Sequence, residues 1–281
     1  MIKRKIGLAL VTAATLAALI LTGCGGETKK ADTGKPAQPA VRNSIKVGAT
    51  AGPQAEVLEV AKKVAAKDGM TIQIVEFNDF IQPNVALNQG DIDANAYQHQ
   101  PFLDNQIKER KYELTSIAQT IIIPMGIYSK KIKKLDELKP GSIVAVPNDP
   151  TNCGRGLLLL EKAGLIKLNP QAGLKATPQD IVENPKNLKI KELEAAQVPR
   201  SLDDVDIAAV NANYAVVAGL SPKTDSILLE DAKSPYACVI VVRSKDKADP
   251  VFQKLIKAYQ SPEVKAFVEK QYNGAFVAVW K

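Results

Sequence analysis

From Ile45 onward the spacing of apolar residues switches repeatedly between a period of two and a period of roughly 3.6, the signatures of strand and helix. Ile45–Ala49 (IKVGA) reads as a strand. Gly52 and Pro53 open a helix that puts Ala55, Leu58, Ala61, Val64 and Ala65 on one face. Thr71–Phe77 (TIQIVEF) alternates and forms a second strand. Asn78 and Asp79 make a turn that carries Phe80, and a helix around Val85–Asn88 stops at Gly90. Asp93–Tyr97 is a short strand with His99 and Gln100 just past its end, and Pro101 opens a helix to about Arg110. Leu114–Ile123 is a strand interrupted by Pro124–Gly126, after which Ile127 and Tyr128 are again extended.

The pattern then restarts. In Ser142–Leu160 (SIVAVPNDPTNCGRGLLLL) an apolar strand, Ile143–Val146, meets a turn at Asn148–Pro150. A helix follows to Ala163, with Thr151 as its N-cap and Gly164 as its stop. Arg155 falls in the first turn of that helix. Free N–H groups and the helix dipole there suit an anion, and a guanidinium fork matches a carboxylate. A surface arginine on an ordinary helix fits the same pattern. Leu188–Leu193 alternates as a strand, Arg200–Asp204 is a loop, and Asp206–Val210 is a buried strand ending in Asn211 before an apolar helix to Gly219. Ile227–Glu230 and Tyr236–Val242 are strands, and Pro250–Tyr259 and Pro262–Tyr272 are closing amphipathic helices.

Alternating strands and helices predict an α/β fold with largely parallel sheet. The break at Pro124–Gly126 and the long strand after Pro235 are natural crossovers. They divide the folded part into one lobe of residues 45–123 plus 236–281 and a second of residues 124–235. Two short crossovers permit hinge closure over a cleft. The polar and aromatic residues at strand ends, Phe80, Tyr97, His99, Arg155 and Asn211, converge on that cleft as candidate ligand contacts.

The start of the chain is of another kind. Lys3, Arg4 and Lys5 precede an uncharged, mostly apolar run from Ile6 to Leu21, which is short for a membrane span and suits a secretory signal. Residues 24–44, rich in Gly, Lys, Thr, Pro and Ala, read as a flexible tether. These two segments carry most of the formal net charge of +7, so the folded part offers no basic surface for nucleic acid. The lysine-rich Lys130–Lys139 also holds Asp136 and Glu137 and reads as a solvated or docking face. A single histidine and scattered cysteines give no metal-ligand spacing, and CGRG (Cys153–Gly156) lacks the lysine of a P-loop. No cofactor is expected.

Two resemblances sharpen this reading. Leu21-Thr22-Gly23-Cys24 is similar to the lipobox of bacterial lipoproteins, which implies removal of residues 1–23 and lipidation of Cys24. Over nearly all of Ile45–Trp280 the chain resembles the NlpA/MetQ-type methionine-binding lipoproteins of methionine ABC importers. The resemblance is carried by FNDF (Phe77–Phe80), QGDIDANAYQHQPFLD (Gln89–Asp104) and GIYSKKIKKLDEL (Gly126–Leu138). VPNDPTNCGRGLLLLEKAGLIKL (Val146–Leu168), VENPKNLKIKELEAAQVPRSLDD (Val182–Asp204) and SPYACVIVVR (Ser234–Arg243) extend it.

It implies a two-lobed periplasmic-binding-protein-like (type II) fold closing on L- or D-methionine, exported and held to the bilayer by its lipid. A membrane permease and its ATPase would be the partners, and a monomer without enzymatic activity is expected. Arg155 would hold the α-carboxylate, Asn211 a polar end of the ligand, and Phe80, Tyr97 and His99 the side-chain pocket. The bland readings are core packing for Phe80 and Tyr97, a helix cap for Asn211, and backbone satisfaction for His99.

Two positions depart from the family pattern. Cys238 stands where an asparagine that helps bind the ligand's polar end is common. Cys153 stands where an apolar residue is usual. A thiol is a weak donor and a weak acceptor, so another small apolar amino acid or a methionine-containing dipeptide remains an alternative ligand. The two cysteines could form a disulfide across the cleft, although two buried thiols acting as small hydrophobes is the preferred reading. A cysteine-dependent hydrolase using His99 as base lacks any local signature, and an adhesin or scaffold role leaves the cleft residues unexplained.

Overall fold

The computed structural model describes residues 42–231 and 233–280. The expected signal segment, Cys24 and most of the tether lie outside the described residues. The chain runs through β1 (Ser44–Thr50), α1 (Pro53–Lys67), β2 (Thr71–Phe77), α2 (Gln82–Gln89), β3 (Ala94–Asn95), α3 (Gln100–Arg110) and β4 (Leu114–Ile122). It continues through β5 (Met125–Tyr128), β6 (Ile143–Pro147), α4 (Pro150–Lys162), β7 (Lys167–Leu168), β8 (Ile181–Glu183), β9 (Lys189–Leu193), β10 (Ile207–Asn211), α5 (Ala212–Val217) and β11 (Ser226–Leu229). It closes with β12 (Ala237–Arg243), α6 (Pro250–Tyr259), α7 (Pro262–Gln271) and β13 (Val277–Ala278). Among the described residues no helix is long and apolar enough to cross a membrane.

Two sheets centre the two lobes. The first is six-stranded, in the order β13-β4-β12-β3-β1-β2, and the second five-stranded, β11-β5-β10-β6-β9. The expectation of largely parallel sheet does not hold; both sheets are mixed. β1 runs parallel to β2 and β3, and β6 parallel to β9 and β10, as right-handed β–helix–β connections require. The strand entered after each crossover, β5 or β12, runs the other way. β12 inserts antiparallel between β3 and β4, and β5 pairs antiparallel with β10 and β11.

Apolar faces pack these layers. α1 and α6 bury Leu58, Val57, Phe252 and Leu255 with Ile45 and Val47 of β1. Each fully buried side chain of this size contributes about 1.5–3 kcal/mol. In the second lobe Leu157 and Leu160 of α4 pack on Val144 and Val146 of β6 and Ala209 of β10. Gly154 lets the loop before β8 press on α4, since a Cβ there would stand 2.4 Å from the Leu174 carbonyl oxygen.

Several local expectations are corrected. The N-cap of α4 is Asp149, not Thr151: its carboxylate accepts from the Asn152 N–H. The helix therefore starts at Pro150, and Arg155 lies in its second turn. Pro199–Asp203 is a 3₁₀ helix rather than a loop, and the short β7, β8 and β13 carry too few residues to show a period. Ser44, placed in the tether, opens β1, and Arg42 before it pairs with Asp93 at 3.1 Å.

Candidate functional site

The ends of β1, β3, β6, β10 and β12 point at one another between the sheets. There a cavity is lined by Phe80, Tyr97, His99, Arg155, Asn211 and Cys238, so the six residues singled out in the sequence meet at one place. The cavity is also lined by Gln54, Gln98, Phe102, Ile123, Asn152 and Asn213, which sequence reasoning did not select.

One end is aromatic. The Phe80 ring lies 6.1 Å from those of Tyr97 and Phe102 and 4.8 Å from that of Tyr214. The Tyr97 hydroxyl donates to the Phe80 carbonyl at 2.7 Å, which fixes the turn that carries Phe80. Beneath them three buried amides satisfy one another. Asn84 and Gln98 exchange hydrogen bonds of 2.8 and 2.6 Å, and the Asn95 amide donates to Asn84 at 2.9 Å. This network braces the segment Tyr97–His99 against α2.

His99 does two jobs. It caps α3, its Nδ1 accepting from the Phe102 N–H at 3.1 Å. The ring proton is therefore on Nε2, which donates to Asn152 Oδ1 at 3.2 Å. Burial first, and then the nearby Arg155 charge, lower its pKa to about 3, so the ring is neutral. Asn152 sits on α4 of the other lobe, and its Oδ1 also accepts from Asn211 Nδ2 at 2.8 Å. Asp149 holds the opposite end of Asn152, accepting from Nδ2 at 2.9 Å. Asn211 makes no side-chain cap to α5, which removes the bland reading of that residue, and its Oδ1 is buried without a partner.

Arg155 is 3% exposed and is the only charged residue lining the cavity. Its environment differs from the expected fork on a ligand carboxylate. Glu230 already accepts from Nε at 3.0 Å and from Nη2, and Nη2 also donates to the Ile123 carbonyl at 2.9 Å. The guanidinium lies 4.3 Å from the centroid of the Tyr236 ring. Ile123 belongs to the outward crossover and Glu230 and Tyr236 to the return crossover, so one side chain ties α4 to both. Nη1 has no partner among the described residues. An acid four residues before Ser234-Pro235 gave no sequence signal for this pairing, because nothing local joins Glu230 to Arg155.

The two cysteines are free and buried, so the disulfide considered from sequence is not formed. Cys153 packs in the second-lobe core with its thiol 3.6 Å from Glu192. Cys238 packs in the first-lobe core, its backbone paired with His99 and its thiol 3.8 Å from the Tyr97 carbonyl. Burial pushes both thiols up to about 12, which makes them poor nucleophiles. The acceptor nitrogen of His99, Nδ1, is already engaged by the Phe102 N–H. Among the described residues no cluster of acidic, histidine or cysteine side chains could hold a metal.

The lobes touch across the cleft through His99–Asn152, through Lys175 donating to Asn105 at 2.9 Å, and through Tyr214 donating to the Asn78 carbonyl at 3.3 Å. This is a closed arrangement.

Known proteins share the chain and its architecture. A nutrient-binding protein from Burkholderia cenocepacia, solved bound to methionine, superposes with a TM-score of 0.82 at 55% identity, covering 84% of this chain and 100% of its own. The D-methionine-binding lipoprotein MetQ of Salmonella typhimurium is 52% identical over 270 residues, 95% of this chain and 96% of that protein. Outer membrane lipoprotein 3 of Mannheimia haemolytica is 44% identical, covering 96% of this chain and 98% of its own. Residues 45–280 match the profile of the NlpA lipoproteins. The chain therefore belongs to the NlpA lipoprotein family, and its two lobes are those of a periplasmic-binding-protein-like fold.

Proposed function

We propose that the protein is an extracytoplasmic substrate-binding lipoprotein that encloses methionine between its lobes and delivers it to an ABC importer. The observation that carries this reading is the chemistry of the cavity. A partnerless acceptor, Asn211 Oδ1, and the open Nη1 edge of Arg155 stand at the polar end, and an aromatic box forms the other. A zwitterionic amino acid with a long apolar side chain matches it. The ammonium donates to Asn211, and the carboxylate accepts from Arg155 through Nη1. Glu230 holds the remaining edge of Arg155, so this contact is narrower than a full fork. The thioether meets Phe80, Tyr97 and His99, where sulfur–aromatic contacts contribute about 0.3–1.5 kcal/mol each.

Cys238 lines the same cavity with only a weak donor, which favours a second reading: a small apolar amino acid other than methionine, or a methionine-containing dipeptide. Lipidation of Cys24 would tether the protein to the bilayer, and a permease with its ATPase would accept the ligand.

Thermal unfolding of the ligand-stripped full chain tests the reading against L-methionine, D-methionine, Gly-Met and leucine. Methionine at 100-fold its Kd adds about 2.7 kcal/mol, or roughly 5–10 °C. The shift is lost in Arg155→Ala, measured against that variant's own ligand-free Tm. A flat response to both methionine enantiomers with a shift for another compound means the pocket is specific for that compound instead.

A further inference from the structure

Besides Asn211, two buried amides at the cavity carry an unpartnered polar atom. Gln54, at the start of α1, and Asn213, in α5, are 3% and 2% exposed. Gln54 Oε1 and Asn213 Nδ2 are buried with no hydrogen-bond partner, yet both residues line the ligand cavity. The contrast with Asn84, Asn95 and Gln98 is sharp, since those amides, equally buried, are satisfied by one another. A buried polar atom left unpaired costs about 1–3 kcal/mol. Folded chains keep such groups at few places, and an atom facing a binding cavity is the kind that a ligand completes.

Their placement is informative in a second way. Gln54 belongs to α1 of the first lobe and Asn213 to α5 of the second, and α5 packs close to the start of α1. Asn213 follows Asn211 by two positions, and Gly52, two before Gln54, lies against Val217 of α5. Both residues line the cavity that holds Asn211 and Arg155, and the charged head group is the part of a free amino acid that can complete a polar atom. Cys238, in the same cavity, supplies no strong acceptor or donor.

We propose that Gln54 and Asn213 are ligand contacts that hydrogen-bond the α-amino and α-carboxylate head group from opposite lobes, and so set both affinity and closure. The inference rests on the binding of a free amino acid proposed above. Each amide completes its hydrogen bonding only when a ligand bearing that head group is present and both lobes are closed on it. Recognition of the head group is thus shared between the lobes, and Asn213 and Gln54 compensate for the weak thiol of Cys238.

The test uses the full chain in detergent, stripped of carried-over ligand, with L- and D-methionine as probes. Gln54→Met and Asn213→Leu replace each amide by an apolar group of similar shape. In the ligand-free protein the exchange removes an unsatisfied polar atom, so Tm stays level or rises. For whichever enantiomer binds the wild type, Kd by calorimetry rises at least tenfold in each variant. Variants that bind within threefold of wild type overturn the inference while leaving the methionine reading intact. Weaker binding together with a lowered ligand-free Tm also overturns it, since the amides would then be structural. If the wild type binds neither enantiomer, the methionine reading fails and the inference falls with it, an outcome separated from the others by the wild-type titration alone.

Discussion

At the scale of the residue, His99 shows how position turns an ordinary group into a specialised one. Its ring is neutral because burial and Arg155 hold its pKa at about 3, while in the unfolded chain it titrates near 6.5. Between those values the unfolded state binds a proton that the native state refuses. Stability therefore falls as pH drops through this window, by up to about 1.4 kcal/mol per pH unit, and the His99 slope fades out above about pH 8. His99→Asn, which keeps a cap for α3, flattens that acid limb in denaturant titrations from pH 7 to 4; an unchanged limb would show that other groups control it. The sequence exposed this residue readily, as the one histidine in the chain, at a strand end. Arg155 was equally visible. Glu230 and Asn152 were not, because their partners lie far away in sequence. Glu230 meets Arg155 across 75 positions, and Asn152 meets His99 across 53.

At the scale of the element, α4 sets the site. Asp149 caps it, Asn152 links the lobes from its first turn, and Arg155 projects into the cavity from its second. Its seat is fixed on the far side by the close approach of residues 174–176 to Gly154. Gly154→Ala forces a methyl group to within 2.4 Å of a backbone oxygen, and backbone cannot swing aside as a side chain does. The expected cost is about 1–3 kcal/mol by denaturant unfolding, against a gain for Gly→Ala in an unobstructed helix. The start of this helix was misplaced by one cap because Asp149 and Thr151 are both good N-caps, and only the backbone path chooses between them. The strands β1, β2 and β6, with strong alternation or apolar runs, were legible nearly to the residue. The antiparallel insertions were not, since strand order depends on where the chain returns rather than on any local period.

At the scale of the whole molecule, the two cysteines report on breathing of the folded state. Both thiols are buried and pushed up to about 12, so at pH 8 the native protein alkylates slowly at Cys153 and Cys238, and both label at once in denaturant. Peptide mapping after timed iodoacetamide treatment follows each site. Bound methionine slows Cys238, which lines the cavity, more than Cys153, which does not; equal protection of the two would mean that labelling requires global unfolding. The division into two sheets was readable from the breaks at Pro124, between β4 and β5, and Pro235, before β12. Arg155 was singled out as an anion-site candidate but not as a tie to the two crossovers, and that attachment has a consequence for release. A group anchored beside an axis of rotation travels the shortest arc, while the rim travels the longest. As the lobes turn about the two crossovers, Arg155, hydrogen-bonded to both, keeps its place relative to them, so a group held on its guanidinium sits close to the pivot.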